Sequence, residues 1–276
     1  MKTPLVWIAP AVLLAWPTSA PAMSWDEWFI NAAKAGNTAA VEMMIDKRVP
    51  VDLRKKAHEE EHAEHEHGAS GHDESKEEIN MEAEGSTALM WAAREGRHDT
   101  MRLLMDRGAN VNMTDENGQT ALIWAAAEDR AESIRMLGKR KADINAQDKK
   151  GRTALMAAAE HGRDDAVISL IMLGAQVNQQ DHEGRTALHL AAMEGRTHTV
   201  EQLLERGASI EQPDNAGTTP LMLAAAAGHT DTLAKLLSKG ALVNARDKLG
   251  HSALATARSN MHNATAEFLL KAGAKE

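Results

Sequence analysis

The sequence predicts an all-α solenoid of about seven helix-turn-helix units joined by hairpin-like loops. Two observations carry that prediction. Glycine recurs every 33 residues, at Gly85, Gly118, Gly151, Gly184, Gly217 and Gly250, and a fixed period in this range means stacked supersecondary units. The apolar residues are mainly Ala, Leu, Ile, Val and Met, with 3% aromatic content and no Tyr, a supply that suits packed helices better than a sandwich of strands.

The first 22 residues, MKTPLVWIAPAVLLAWPTSAPA, carry one Lys, an apolar stretch from Leu5 to Trp16 and the triplet Ala20-Pro21-Ala22. They read as a secretory signal cleaved after Ala22. The stretch is short for a membrane span and is interrupted by Pro10, which weighs against an uncleaved anchor. The mature chain is expected to begin at Met23 and to work outside the cytoplasm, in the periplasm. With no cysteine, disulfides and thiolate metal sites are ruled out, and an exported chain of this kind needs no oxidative help to fold.

Residues 23–53 read as a degenerate first unit. The run FINAAKAGNTAAVEMMIDKRVPVD, residues 29–52, aligns with the unit that begins near Gly85 at an offset of 60, which is 33 plus 27. End units of a stack are expected to be atypical because one side faces water. Trp25 and Trp28 are expected to cover its open end. The extra 27 residues fall within 54–83, an acidic, histidine-rich insertion. Eleven Asp or Glu and one Lys lie between Ala57 and Glu84, so against a net charge of −9 the rest of the chain is close to neutral. An acidic chain argues against nucleic acid as a partner.

Six units follow, over 84–116, 117–149, 150–182, 183–215, 216–248 and 249–276. In register with the glycines run Thr87, Thr120, Thr153, Thr186, Thr219 and Ser252, natural helix N-caps. Leu89, Leu122, Leu155, Leu188, Leu221 and Leu254 follow them, and a second row runs through Leu104, Leu137, Leu170, Leu203, Leu236 and Leu269. In the unit that begins at Gly184, Leu188, Ala191 and Ala192 give one short apolar face, while Val200, Leu203 and Leu204 give another. Gly195 and Gly207 end the two helices by accepting positive φ. Asp115, Asp148, Asp181, Asp214 and Asp247 each stand three residues before a repeat glycine and mark a turn between units. The last unit, with polar Ser259, Asn260 and Asn263, closes the stack.

The runs GRTALHLAAMEG at 184–195 and GTTPLMLAAAAGH at 217–229 resemble the ankyrin repeat, and the likeness covers residues 84–276. The motif histidine survives only as His189, with Met90, Ile123, Met156 and Met222 at its place elsewhere. Asp129 and Lys141 stand where helix-ending glycines belong, so the unit over 117–149 is expected to be locally irregular. The resemblance implies a non-enzymatic protein-binding module that takes its partner on the concave face of the first helices. It places Trp91 and Trp124 side by side on that face, with Arg94, Glu95, Glu128, Glu160, His161, Leu190, Met193 and Glu194 along the same groove. Two readings of the tryptophan pair compete. Partly exposed rings would make a binding hot spot, whereas rings folded against the stack would only fill space. The scarcity of aromatic residues favours the first.

Catalytic signals are absent: there is no G-x-S-x-G, no glycine-rich phosphate loop and no thiol. His58-Glu59-Glu60-Glu61-His62 matches H-E-x-x-H in form, but nine of the ten residues in its surroundings, HEEEHAEHEH, are charged or histidine, and no water-excluded zinc site can be packed from them. A second use of the run is metal binding by His58, His62, His65, His67 and His72, with zinc, copper, nickel or cobalt as the suitable ions. Its affinity would be modest because ligation must also order the loop. The competing reading is a solvated polar insertion. The recurring methionines sit where packed residues belong and are assigned to the core rather than to copper. Some exported ankyrin proteins of this general look are associated with haem catalases and oxidative-stress defence, so the resemblance also implies an alternative function, a metal- or haem-handling accessory acting through the insertion. The expected partner is another protein, and the expected state of the chain is a monomer without a membrane span.

Overall fold

A computed structural model of the chain describes residues 24–55 and 84–275. The expected leader and the five histidines of the insertion lie outside the described residues. Within them the chain forms seven helix pairs: α1 (Trp25–Ala35) and α2 (Thr38–Asp46), α3 (Ala88–Arg94) and α4 (His98–Asp106), α5 (Ala121–Ala127) and α6 (Ala131–Lys139), α7 (Ala154–Glu160) and α8 (Asp164–Met172), α9 (Ala187–Met193) and α10 (Thr197–Glu205), α11 (Pro220–Ala226) and α12 (Thr230–Ser238), α13 (Ala253–Ser259) and α14 (Asn263–Lys271). The odd-numbered helices stack on one another as an inner row and the even-numbered ones as an outer row.

Side-chain caps start most of the inner helices. The hydroxyls of Thr120 and Thr153 accept from the backbone N–H of Ile123 and Met156, both at 3.3 Å, and Ser252 accepts from Ala255 at 3.2 Å. Such a cap is worth about 1 kcal/mol. The paired alanines Ala92-Ala93, Ala125-Ala126, Ala158-Ala159, Ala191-Ala192 and Ala224-Ala225 are wholly buried. Their small side chains let neighbouring inner helices approach closely. The second leucine row, from Leu104 to Leu269, is likewise wholly buried and forms the seam between inner and outer rows. Met90, Met156 and Met222 are buried with them, as a packing role requires.

The turns between units are built by the aspartates. Each carboxylate accepts from the backbone two and four residues on, as Asp181 does from Glu183 at 3.1 Å and Arg185 at 2.8 Å. Among the described residues extended pairing is limited to three isolated antiparallel bridges, one of them Thr114 with Thr120. Gly184 shows why this corner needs glycine: its φ is +79°, and a Cβ there would come within 2.7 Å of the Asn215 backbone nitrogen.

Side chains lock each unit to the next. The Oδ1 atoms of Asn112, Asn145, Asn178 and Asn244 accept from the backbone N–H of Asp143, Gln176, Ser209 and Lys275, at 2.8 to 2.9 Å. Glu211 does the same for Leu242 at 2.8 Å, and Asp52 for Asn110 at 3.0 Å. The ladder therefore includes the first helix pair, which stacks on α3 and α4 across the intervening insertion.

Two expectations need correction. The unit over 117–149 is regular: Asp129 and Lys141 adopt φ of +56° and +62°, the conformation glycine takes at these places in most other units. Asp129 Oδ1 also accepts from Ala166 N–H at 2.8 Å, which satisfies an otherwise unpaired donor in the first turn of α8. At the N-terminal end only Trp28 packs against the core. Trp25 is 65% exposed and meets Trp28 edge-on, with ring centres 5.9 Å apart. At the other end Ser259, Asn260 and Asn263 are exposed.

Candidate protein-binding face

The inner helices place one short row of residues at their C-terminal turns. Glu95, Glu128, His161 and Glu194 are the C-cap residues of α3, α5, α7 and α9, 33 residues apart in sequence and consecutive in space. Arg94, Glu160 and Met193 end the helices just before them. Glu95, Glu128, Glu160, His161 and Met193 are half-buried and Glu194 is exposed, so the structure brings these predicted residues to one continuous surface.

Trp91, Trp124 and Leu190 are different. Trp91 and Trp124 do lie side by side, edge to face, with ring centres 5.0 Å apart and planes at 88°. They are nevertheless buried, at 3% and 1% exposure, as is Leu190 at 1%. The expected exposed pair is therefore corrected to a pair that fills the junction of α3 and α5. Both indole N–H groups are used inside the molecule. Trp91 Nε1 donates to Ser86 Oγ at 3.0 Å, and Trp124 Nε1 lies 3.1 Å from both Asp115 Oδ2 and Gln119 Oε1. A buried indole finds such partners whether or not it serves binding.

The pair instead forms a floor for charge. Lys34 Nζ sits 4.4 Å from the centre of the Trp91 ring, and the Arg94 guanidinium carbon lies 5.5 Å from Trp91 and 6.0 Å from Trp124, within cation–π reach. Arg94 donates through Nε and Nη2 to Glu128 Oε1, at 3.2 and 3.1 Å. Further along, Arg152 reaches Glu160 Oε2 at 3.4 Å. The face thus alternates cations and carboxylates above a base of indole and alanine.

Beneath that face the turn aspartates differ in partner. Asp148 and Asp181 receive Arg152 and Arg185 on their second oxygens, at 3.2 and 2.8 Å. Asp115 receives only the neutral indole of Trp124 there, and burial pushes its carboxyl above the usual carboxylate range against the pull of the Gln119, Trp124 and Asn117 donors. His189 is buried too. Its Nδ1 lies 3.1 Å from Thr186 N, and its Nε2 lies 3.2 Å from the Thr218 carbonyl. Burial lowers its pKa, although the Thr218 bond and the charges of Asp214 and Asp181 favour the protonated ring.

One set of residues at this face escapes a reading by helix pattern alone. Arg97, Arg130, Arg163 and Arg196 donate from Nε to the carbonyls of Lys34, Arg94, Ala127 and Glu160, at 2.8 to 3.1 Å. Each arginine caps the C-terminal end of the preceding inner helix, where carbonyls lack partners. Their spacing of 33 is the signal that could have found them.

The family model of ankyrin repeats matches the chain in three copies, over residues 29–148, 140–214 and 210–276. The chain belongs to the ankyrin-repeat family, whose repeats mediate binding to another protein and are generally non-enzymatic. No curated protein matched the chain. Among the described residues no helix is long and apolar enough to cross a membrane, and no three His, Asp or Glu are grouped as a metal site would need.

Proposed function

We propose that the chain is a non-enzymatic binding module, exported to the periplasm, that takes one protein partner along the C-terminal turns of its inner helices. The row Glu95, Glu128, His161 and Glu194 carries this reading. Carboxylates at helix C-termini work against the helix dipole, so helix stability does not explain three of them in register. Glu95 and Glu194 stand at the two ends of the row and present their charge to a partner. Trp91 and Trp124 act from below, by holding Arg94 and Glu128 in place.

A second reading rests on the five histidines and seven acids within residues 58–74. In it the chain is a metal- or haem-handling accessory, of use to a periplasmic catalase or a similar defence, and His58, His62, His65, His67 and His72 hold zinc, copper, nickel or cobalt. Capture from periplasmic extract separates the two. The baits are the full chain, Glu95→Lys/Glu194→Lys and a deletion of residues 57–78, each with and without a chelator. The first reading expects capture to fail only with the charge-reversed bait. Loss with the deletion or the chelator would put metal at the centre and overturn it.

A further inference from the structure

The outer row holds an apolar interruption that neither the stack nor the inner face uses. Of the exposed large apolar residues among the described ones, Trp25 and Met43 lie in the first helix pair, and Leu242, Leu249, Met261 and Leu270 lie in the last two units. Met172, at the end of α8, is the exception. It is 82% exposed in mid-stack, and Ile168 stands one turn before it on the same helix. One unit earlier the same two positions hold Arg135 and Lys139, on α6. One unit later they hold Glu201 and Glu205, on α10. Across three neighbouring helices, each of two rows therefore reads positive, apolar, negative.

The stack does not need this arrangement. Leu173 serves the packing of α8, since a Cβ on Gly138 would come within 2.8 Å of it. Elsewhere outer helices are tied by ion pairs, as Arg107 ties α4 to Glu42 and Asp46 at 2.7 and 2.8 Å, and as Arg140 is tied to Asp106. Met172, with half-buried Ile168 beside it, replaces charge with apolar surface that the stack leaves open.

We propose that a second copy of this chain covers it, in a two-fold dimer whose axis runs parallel to α8. That rotation lays Ile168 and Met172 on their own counterparts and carries α6 of one copy over α10 of the other. Residues one unit to either side of α8 stand at the same height along the helices, so Arg135 meets Glu201 and Lys139 meets Glu205. The symmetry forms each pair twice, as a self-complementary interface must. Within one copy Arg135 meets Glu132 at 2.7 Å and Ser169 Oγ at 3.3 Å, Glu201 meets Lys235 at 3.0 Å and Lys239 at 3.4 Å, and Glu205 meets Lys239 at 3.6 Å, contacts that are exposed or part-buried. Exposed pairs are weak and yield readily to a new partner. Three nine-residue helices offer a footprint of about 13 by 25 Å, or about 330 Å² per copy, below the size of standard specific interfaces and fit for a weak, transient contact, so a dissociation constant on the order of 100 µM is expected. The dimer departs from the monomer expected from sequence, and it leaves the inner face free.

Sedimentation equilibrium of the full chain, from about 1 to 500 µM so as to bracket that constant, tests this. The expected results are a monomer–dimer equilibrium for the wild type and its loss in Met172→Lys. Lys139→Glu and Glu205→Lys should each weaken association about tenfold or more, because like charges then face each other twice. The double variant Lys139→Glu/Glu205→Lys should recover to within about threefold of wild type, since opposite charges again meet. Far-UV circular dichroism checks that each variant folds, which the exposure of all three sites favours. A monomer throughout the range would overturn the proposal. So would a dimer indifferent to Met172→Lys, higher oligomers formed through the stack ends, or a double variant no better than the singles.

Discussion

The indole nitrogens of Trp91 and Trp124 set what the two rings can do. Both are bonded within the chain, and both rings lie beneath the surface, so their removal should register as lost stability before it registers as lost binding. Trp124→Ala is expected to cost about 3–5 kcal/mol, the range for deleting a large buried ring, read as a shift of the denaturant midpoint. An exposed ring would cost far less. His189 makes a second residue-scale prediction. Its folded pKa lies below the ordinary value of 6.5, so the unfolded chain binds the proton first, and stability present above pH 6.5 is lost as pH falls toward the folded pKa. His189→Met, which copies Met156 and Met222, should flatten that dependence. Melting temperatures at pH 7 and pH 5 would show the wild type falling further than the variant.

At the scale of the element, Asp129 joins two helix pairs. It holds the left-handed turn after α5 and caps α8 through Ala166. Asp129→Ala should destabilise by about 1–2 kcal/mol, from the lost cap and the left-handed backbone together, whereas Asp129→Asn should be close to neutral. Urea titration distinguishes them. The five middle helix pairs were legible in the sequence because each is specified several times over, by a Thr at the N-cap, an alanine pair, a leucine and a helix-ending residue at fixed offsets. A missing glycine at Asp129 or Lys141 did not disturb the unit, since its neighbours impose the same backbone. The candidate face was less legible. Register identified which residues share a helix turn, and Glu95, Glu128, His161 and Glu194 do. It could not tell that the residue at position 91 or 124 points into the junction, because a large ring in a row that elsewhere holds Ala157 or Thr256 can turn either way. The arginine caps were visible as a period but had no meaning until their carbonyl partners were placed.

At the scale of the whole molecule, cohesion is a sum of similar interfaces between neighbours. Breaking one central interface should divide the stack rather than unfold it outright. Gly184→Val puts a Cβ against the Asn215 backbone in a conformation valine resists, and its unfolding should resolve into two steps where the wild type shows one. Hydrogen exchange should find the helices after Gly184 opening at lower free energy than those before it. The placement of the tryptophans decides how such a division would look to an optical instrument. There is no Tyr, two of the six Trp fall in the expected leader, and the other four are Trp25, Trp28, Trp91 and Trp124. Emission and near-ultraviolet dichroism therefore report on α1 to α5 almost exclusively, and the units from α7 to α14 are optically silent apart from Phe268. A fluorescence melt would record the life of one end of the solenoid, and any gap between it and a backbone signal would measure how well the silent end is held to the visible one.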